Sequence, residues 1–144
     1  MPLRHMMLAA LLAAPAIASA QNSPAGRWQT IDDDTGKPKS VVEIYRAKDG
    51  NYAGKVVEII DTSDGADPLC DKCRGSNRNK PVKGMVILWG LKPDGPGKWS
   101  GGSVLDPENG KTYKSKIELR EGGERLGMFG CIAFICRQQV WIRQ

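Results

Sequence analysis

Four cysteines carry the most explicit chemistry in this 144-residue sequence: Cys70 and Cys73 in "DPLCDKCRGSNRNKPVKG", and Cys131 and Cys136 in "GCIAFICR". A C-x-x-C spacing serves as a redox pair, as half of a metal knuckle, or as a local disulfide. A redox pair needs a thiol whose pKa is lowered, typically at a helix N-terminus. Here two Gly, two Asn and a Pro follow Cys73 with no helical period, although Lys72 and Arg74 still favour a thiolate. A zinc site would recruit all four cysteines as thiolates. The disulfide reading gains from the spacing of the second pair. If the chain turns back through the loop Ile132, Ala133, Phe134 and Ile135, Cys131 and Cys136 face each other with Cβ atoms about 4.5–5.5 Å apart. In one continuous strand they would stand about 17 Å apart and could not bridge. The favoured pairing is Cys70 with Cys73 and Cys131 with Cys136; two bonds tying the long loop to the hairpin are the alternative.

The N-terminus bears on that choice. Residues 1–20, MPLRHMMLAALLAAPAIASA, run from a charged start through an apolar stretch to Ala18-Ser19-Ala20, the order of a secretory signal peptide cleaved after Ala20. The apolar run is too short to span a bilayer, which takes roughly 20 residues. The expected product is residues 21–144, a single domain in the periplasm or secreted, where disulfides persist and a β core needs no metal to fold. Loss of Arg4 leaves 20 basic against 16 acidic residues, a mild excess that does not suggest nucleic acid as partner. Loss of His5, the only histidine, excludes Ser-His-Asp and Cys-His catalysis, histidine-ligated zinc and the ordinary near-neutral general base. No phosphate-loop or dinucleotide fingerprint is present, and the reading is of a non-enzyme without cofactor or metal.

The elements that must position the cysteines are strands. β-favouring runs recur at Trp28–Ile31, Val41–Arg46, Tyr52–Ile60, Met85–Leu91, Trp99–Leu105, Thr112–Arg120, Arg125–Cys131 and Gln138–Arg143. Turn-forming segments such as "KDGN", "PDGPG", "DPENGK" and "EGG" separate them. The expectation is all-β: a compact antiparallel meander of roughly eight strands closing as a barrel with space for packed side chains or one small ligand. Residues 61–84, which hold Cys70 and Cys73, are the one long break in the rhythm. Closure would pair the first strand with the last and let Arg143 stack on Trp28.

With those residues in view, the chain resembles the bacterial secreted family known as domain of unknown function 2147. The matching stretches are "GRWQTIDDDTGKPKSVVEIY", "GNYAGKV", "CDKCRG" with "NKPVKGMVILWGL", "WSGGSVLDPENGKTYKSKIEL" and "QQVWIR". The resemblance implies a barrel similar to lipocalins and fatty-acid-binding proteins, with Arg143 covering Trp28 as the last-strand Arg covers the Trp of lipocalins. It implies no established activity.

Two further features suggest binding. The run Lys72, Arg74, Arg78, Lys80 and Lys83 is either a solvated loop or a contact for anionic headgroups. The segment Ile132, Phe134 and Ile135 is either an apolar lip for a ligand or membrane, or a plug for the barrel end. Asp32, Asp33 and Asp34 read as a solvated turn, since Ca²⁺ requires six to eight oxygen ligands. Trp89, Trp99, Trp141, Met85 and Met128 read mostly as core. The leading expectation is a barrel holding a small hydrophobic or amphipathic ligand. The alternative is a solid barrel binding anionic envelope lipid through its basic loop.

Overall fold

The computed structural model describes residues 22–144, together with Pro2 and residues 12–14. The expected signal peptide and its cleavage point therefore lie outside the described residues, apart from those four positions. Eight strands follow one another: Gly26–Ile31 (β1), Pro38–Arg46 (β2), Tyr52–Ile59 (β3), Val86–Pro93 (β4), Lys98–Asp106 (β5), Lys111–Arg120 (β6), Arg125–Ile132 (β7) and Ile135–Arg143 (β8). Each pairs antiparallel with the next, and β8 returns to β1, giving a closed barrel. Register shifts between β1 and β2, β2 and β3, β3 and β4, and β5 and β6 supply the local bends that closure requires.

Alternation along the strands places one set of side chains inside. Trp28, Ile44, Leu88, Leu91, Ile117, Leu126 and Trp141, each at most 1% exposed, belong to a single hydrophobic cluster. In the last hairpin Leu126 faces Trp141 and Met128 faces Gln139, which sets that row inward. Among the described residues no buried side-chain nitrogen or oxygen lacks a hydrogen-bond partner. The interior is thus a packed, internally satisfied core.

Because strand direction alternates, the turns after β1, β3, β5 and β7 share one end of the barrel, called here the loop end. Residues 61–84 fold over it. Cys70 and Cys73, Cα atoms 5.3 Å apart and disulfide-bonded, are buried within the barrel's hydrophobic cluster. Cys70 Sγ lies 3.4 Å from the Pro107 carbonyl oxygen in the β5–β6 turn. Gly110 in that turn has φ +71°, and a Cβ there would overlap the Lys72 carbonyl, so only glycine lets the loop and turn meet.

At the opposite end, Arg143 closes the barrel. Its guanidinium carbon sits 4.2 Å from the Trp28 ring centroid, and its three nitrogens donate to the carbonyls of Gly123 (2.7 Å), Ala25 (2.9 Å) and Ser23 (2.9 Å). Gly26 is part of this arrangement, since a Cβ on it would stand 2.8 Å from Arg143 Nη1.

Three sequence expectations change. The Cys131–Cys136 disulfide is present, with Cα atoms 4.0 Å apart, but Ile132 pairs with Ile135, so the hairpin loop is Ala133-Phe134 rather than four residues. Ala133 adopts φ +52° to make that tight turn. β2 and β8 begin at Pro38 and Ile135, earlier than expected, because pairing with the preceding strand runs on to Ile31–Pro38 and Ile132–Ile135. Trp89 is not core: Leu88 pairs inward with Val104, which sends Trp89 to the outer wall, 38% exposed.

Candidate functional site

The long loop doubles back on itself before entering β4. An isolated bridge joins Leu69 to Pro81, Cys70 N–H donates to the Lys80 carbonyl at 2.8 Å, and Asn79 N–H returns a bond to the Cys70 carbonyl at 2.8 Å. The disulfide thus anchors one arm in the core, and the ladder carries that rigidity to the arm holding Asn77, Lys80 and Lys83. Gly84 N–H then donates to the Val56 carbonyl and docks the arm on β3.

Where this arm meets the outside of β4, an open recess of about 560 Å³ forms. Lys80, Lys83 and Asn77 line its polar side; Met85, Val86 and Trp89 line its apolar side. Neither lysine forms an ion pair among the described residues. The juxtaposition offers two cations to an anionic head and the exposed indole of Trp89 and isopropyl group of Val86 to an apolar tail, while Met85 borders the recess from the buried core. Lys72, Arg74 and Arg78, the rest of the basic run, are exposed on the same loop but do not line the recess.

The hairpin tip forms a second feature of the loop end. Phe134 is 93% exposed, Ile135 68% and Ile132 64%; the segment projects outward and does not plug the barrel. Between the turns the charges are largely paired. Lys39 contacts Asp32 at 3.7 Å and also pairs with Glu108, while Asp33 lies 3.7 Å from Arg137 and accepts from Gln139 Nε2 at 3.1 Å. Asp32 accepts the backbone N–H groups of Thr35 and Asp34, and these bonds hold its pKa below the usual carboxylate value. Burial pushes Asp106 the other way, with Lys39 opposing. These carboxylates brace turns, and among the described residues no set of three or more metal-ligating side chains converges.

Of the residues singled out in the sequence, the structure therefore joins Lys80 and Lys83 in one place, Cys70 and Cys73 beneath them, and Ile132, Phe134 and Ile135 in another. Trp89 and Val86 escaped sequence reasoning because "MVILWGL" is apolar on both faces and shows no alternation. Only the register with β5 separates the outer side chains from the inner ones.

The family model described as "Uncharacterized protein conserved in bacteria (DUF2147)" matches residues 26–143, which spans all eight strands, both disulfides and the recess. The chain belongs to DUF2147. Among solved structures, this DUF2147 chain is similar to one described as "Protein HP1028 from the human pathogen Helicobacter pylori belongs to the lipocalin family". The TM-score is 0.74 at 22% identity, over 86% of this chain and 84% of that one. At that identity the likeness establishes a lipocalin-like barrel fold for the DUF2147 domain and nothing further. No curated protein matches the chain.

Proposed function

We propose that this DUF2147 protein is an exported, non-enzymatic barrel that binds an anionic amphiphile on its outer wall. The observation that carries the reading is the recess lined by Lys80 and Lys83 together with the exposed Trp89 and Val86. Its volume of about 560 Å³ falls within the range of small-molecule sites, roughly 300–1,000 Å³. The packed interior, built around Trp28, Leu88, Leu91, Ile117 and Trp141, favours a wall site over a ligand inside the barrel. Both disulfides suit an oxidising compartment, and the signal-like residues 1–20 support export to it.

The test is calorimetric titration with dodecyl phosphate below its micelle-forming concentration, with dodecanol as the uncharged control. Saturable one-to-one binding is expected, weakening steeply as salt rises because two partly exposed cations supply the attraction. Lys80→Glu/Lys83→Glu should weaken it at least tenfold, since two attractions become repulsions. Trp89→Ala should weaken dodecyl phosphate and dodecanol alike. Absence of saturable binding, or binding indifferent to both variants, would overturn the wall site.

A further inference from the structure

We infer that the β7–β8 hairpin tip inserts into the surface of a lipid bilayer and docks the barrel there by its loop end. The tip is the most exposed apolar feature of the described barrel. Phe134 stands at the apex, Ile132 and Ile135 flank it, and the Cys131–Cys136 disulfide locks the two strands one residue pair behind.

Shape and size point to a bilayer as the occupant. The three side chains present on the order of 400 Å² of apolar surface on a narrow convex turn. Even two tips packed against each other would bury less than the roughly 1,200 Å² at the lower end of stable protein interfaces. Lipid also demands that backbone polar groups be satisfied within the inserted segment. Here the ladder extends to the Ile132–Ile135 pair, and the backbone groups of Ala133 and Phe134 lie outside it, so the tip enters only to the headgroup–acyl boundary, where water and headgroups satisfy them. The disulfide fixes the turn in advance, so little chain entropy is lost on insertion.

Charge around the tip suits an anionic surface. Arg137, whose side chain is 85% exposed, pairs with Gly130, and exposed Lys114 pairs with Cys131. Both stand at the level where headgroups would lie if Phe134 reached the acyl region. Asp33 lies 3.7 Å from Arg137 and offsets part of that attraction, so insertion of the apolar apex carries the binding and anionic lipid strengthens it. The recess opens at the same end of the barrel, but docking does not depend on its being a ligand site.

Co-sedimentation with phosphatidylcholine vesicles, with and without phosphatidylglycerol, tests the inference. The oxidised full domain should bind both, more tightly with phosphatidylglycerol. Phe134→Ser should lower the partition coefficient roughly tenfold or more, as expected for removing a buried Phe side chain. Ile132→Ser/Ile135→Ser serves as the second variant, and unchanged urea midpoints show that both remain folded. Lys80→Glu/Lys83→Glu should still bind phosphatidylcholine vesicles, which separates tip docking from the wall site. Vesicle binding that is absent in the parent protein, or unaffected by both tip variants, overturns the inference. So does a Phe134→Ser variant whose sole change is conversion of a dimer to a monomer in size-exclusion chromatography.

Discussion

Replacing Arg143 by Met tests how the barrel closes. Trp28–Arg143 and Gln29–Ile142 are the residue pairs in register between β1 and β8, so the seam there is short. Arg143 reinforces it from the end. Its stacking on Trp28 at 4.2 Å contributes about 1–2 kcal/mol for a partly desolvated cation–π pair. The half-buried bond from Nε to the Gly123 carbonyl adds about 1.5–2 kcal/mol, as for a hydrogen bond from a charged donor. The bonds to Ala25 and Ser23 are solvent-exposed and add little. Met keeps the aliphatic stem, so the expected loss is about 3 kcal/mol, a large fraction of the roughly 5–15 kcal/mol that stabilises a typical domain. Urea unfolding of the disulfide-intact protein should show this as a lower midpoint with an unchanged slope. Arg143→Lys should lose about half as much, because a single ammonium cannot stack and donate in three directions at once. High salt should leave the difference between parent and variant nearly intact, since the guanidinium bonds to carbonyls rather than to a carboxylate. A loss below about 1 kcal/mol for Arg143→Met would refute the assignment of closure to this side chain.

Replacing Cys70 and Cys73 together by Ala should cost about 2 kcal/mol by the chain-entropy estimate for a short loop, measured by urea unfolding. Because the same loop carries Lys80 and Lys83, dodecyl phosphate binding should weaken as well. Gly110→Ala should destabilise by more than about 2 kcal/mol, combining left-handed backbone cost with overlap on the Lys72 carbonyl. Gly36→Ala, at φ +70° with nothing within 4 Å, is the control, and equal losses would contradict the tight packing at Gly110. Burial raises the pKa of Asp106, so its ionisation opposes folding: the associated stability is present at acid pH and lost as pH rises through the folded-state value. Asp106→Asn keeps an oxygen acceptor for the Glu108 N–H and should be more stable than the parent at neutral pH, with the advantage vanishing in acid. An advantage that persists unchanged at low pH would contradict this sign.

Much of the scaffold was legible because its causes are local. Turn residues such as Asp32, which accepts the N–H groups of Asp34 and Thr35, fold the chain back wherever they occur. The spacing of Cys131 and Cys136 admits a disulfide only across a hairpin, and closure of the meander brings Trp28 on the first strand beside Arg143 on the last. The candidate site was less legible. The basic run was visible, but which lysines share a recess was not, since that depends on how residues 67–84 double back through the Leu69–Pro81 bridge. Trp89 read as core because composition carries no information about facing when both faces of a strand are apolar.

By itself, then, the sequence determined an all-β chain of eight short strands without histidine after residue 5, with cysteines placed to bridge locally and an apolar segment between the second pair. These follow from side-chain type and spacing along a few residues. Only the tertiary structure decided that one hydrophobic cluster occupies the interior, that the Cys70–Cys73 loop caps the barrel, that Trp89 faces outward beside Lys80 and Lys83, and that Phe134 projects from a two-residue turn. The physical reason is register. A shift of one residue between paired strands exchanges inner and outer faces, and what holds register here is closure of the whole sheet through contacts far apart in the chain, such as Leu88 with Val104 and Trp28 with Arg143.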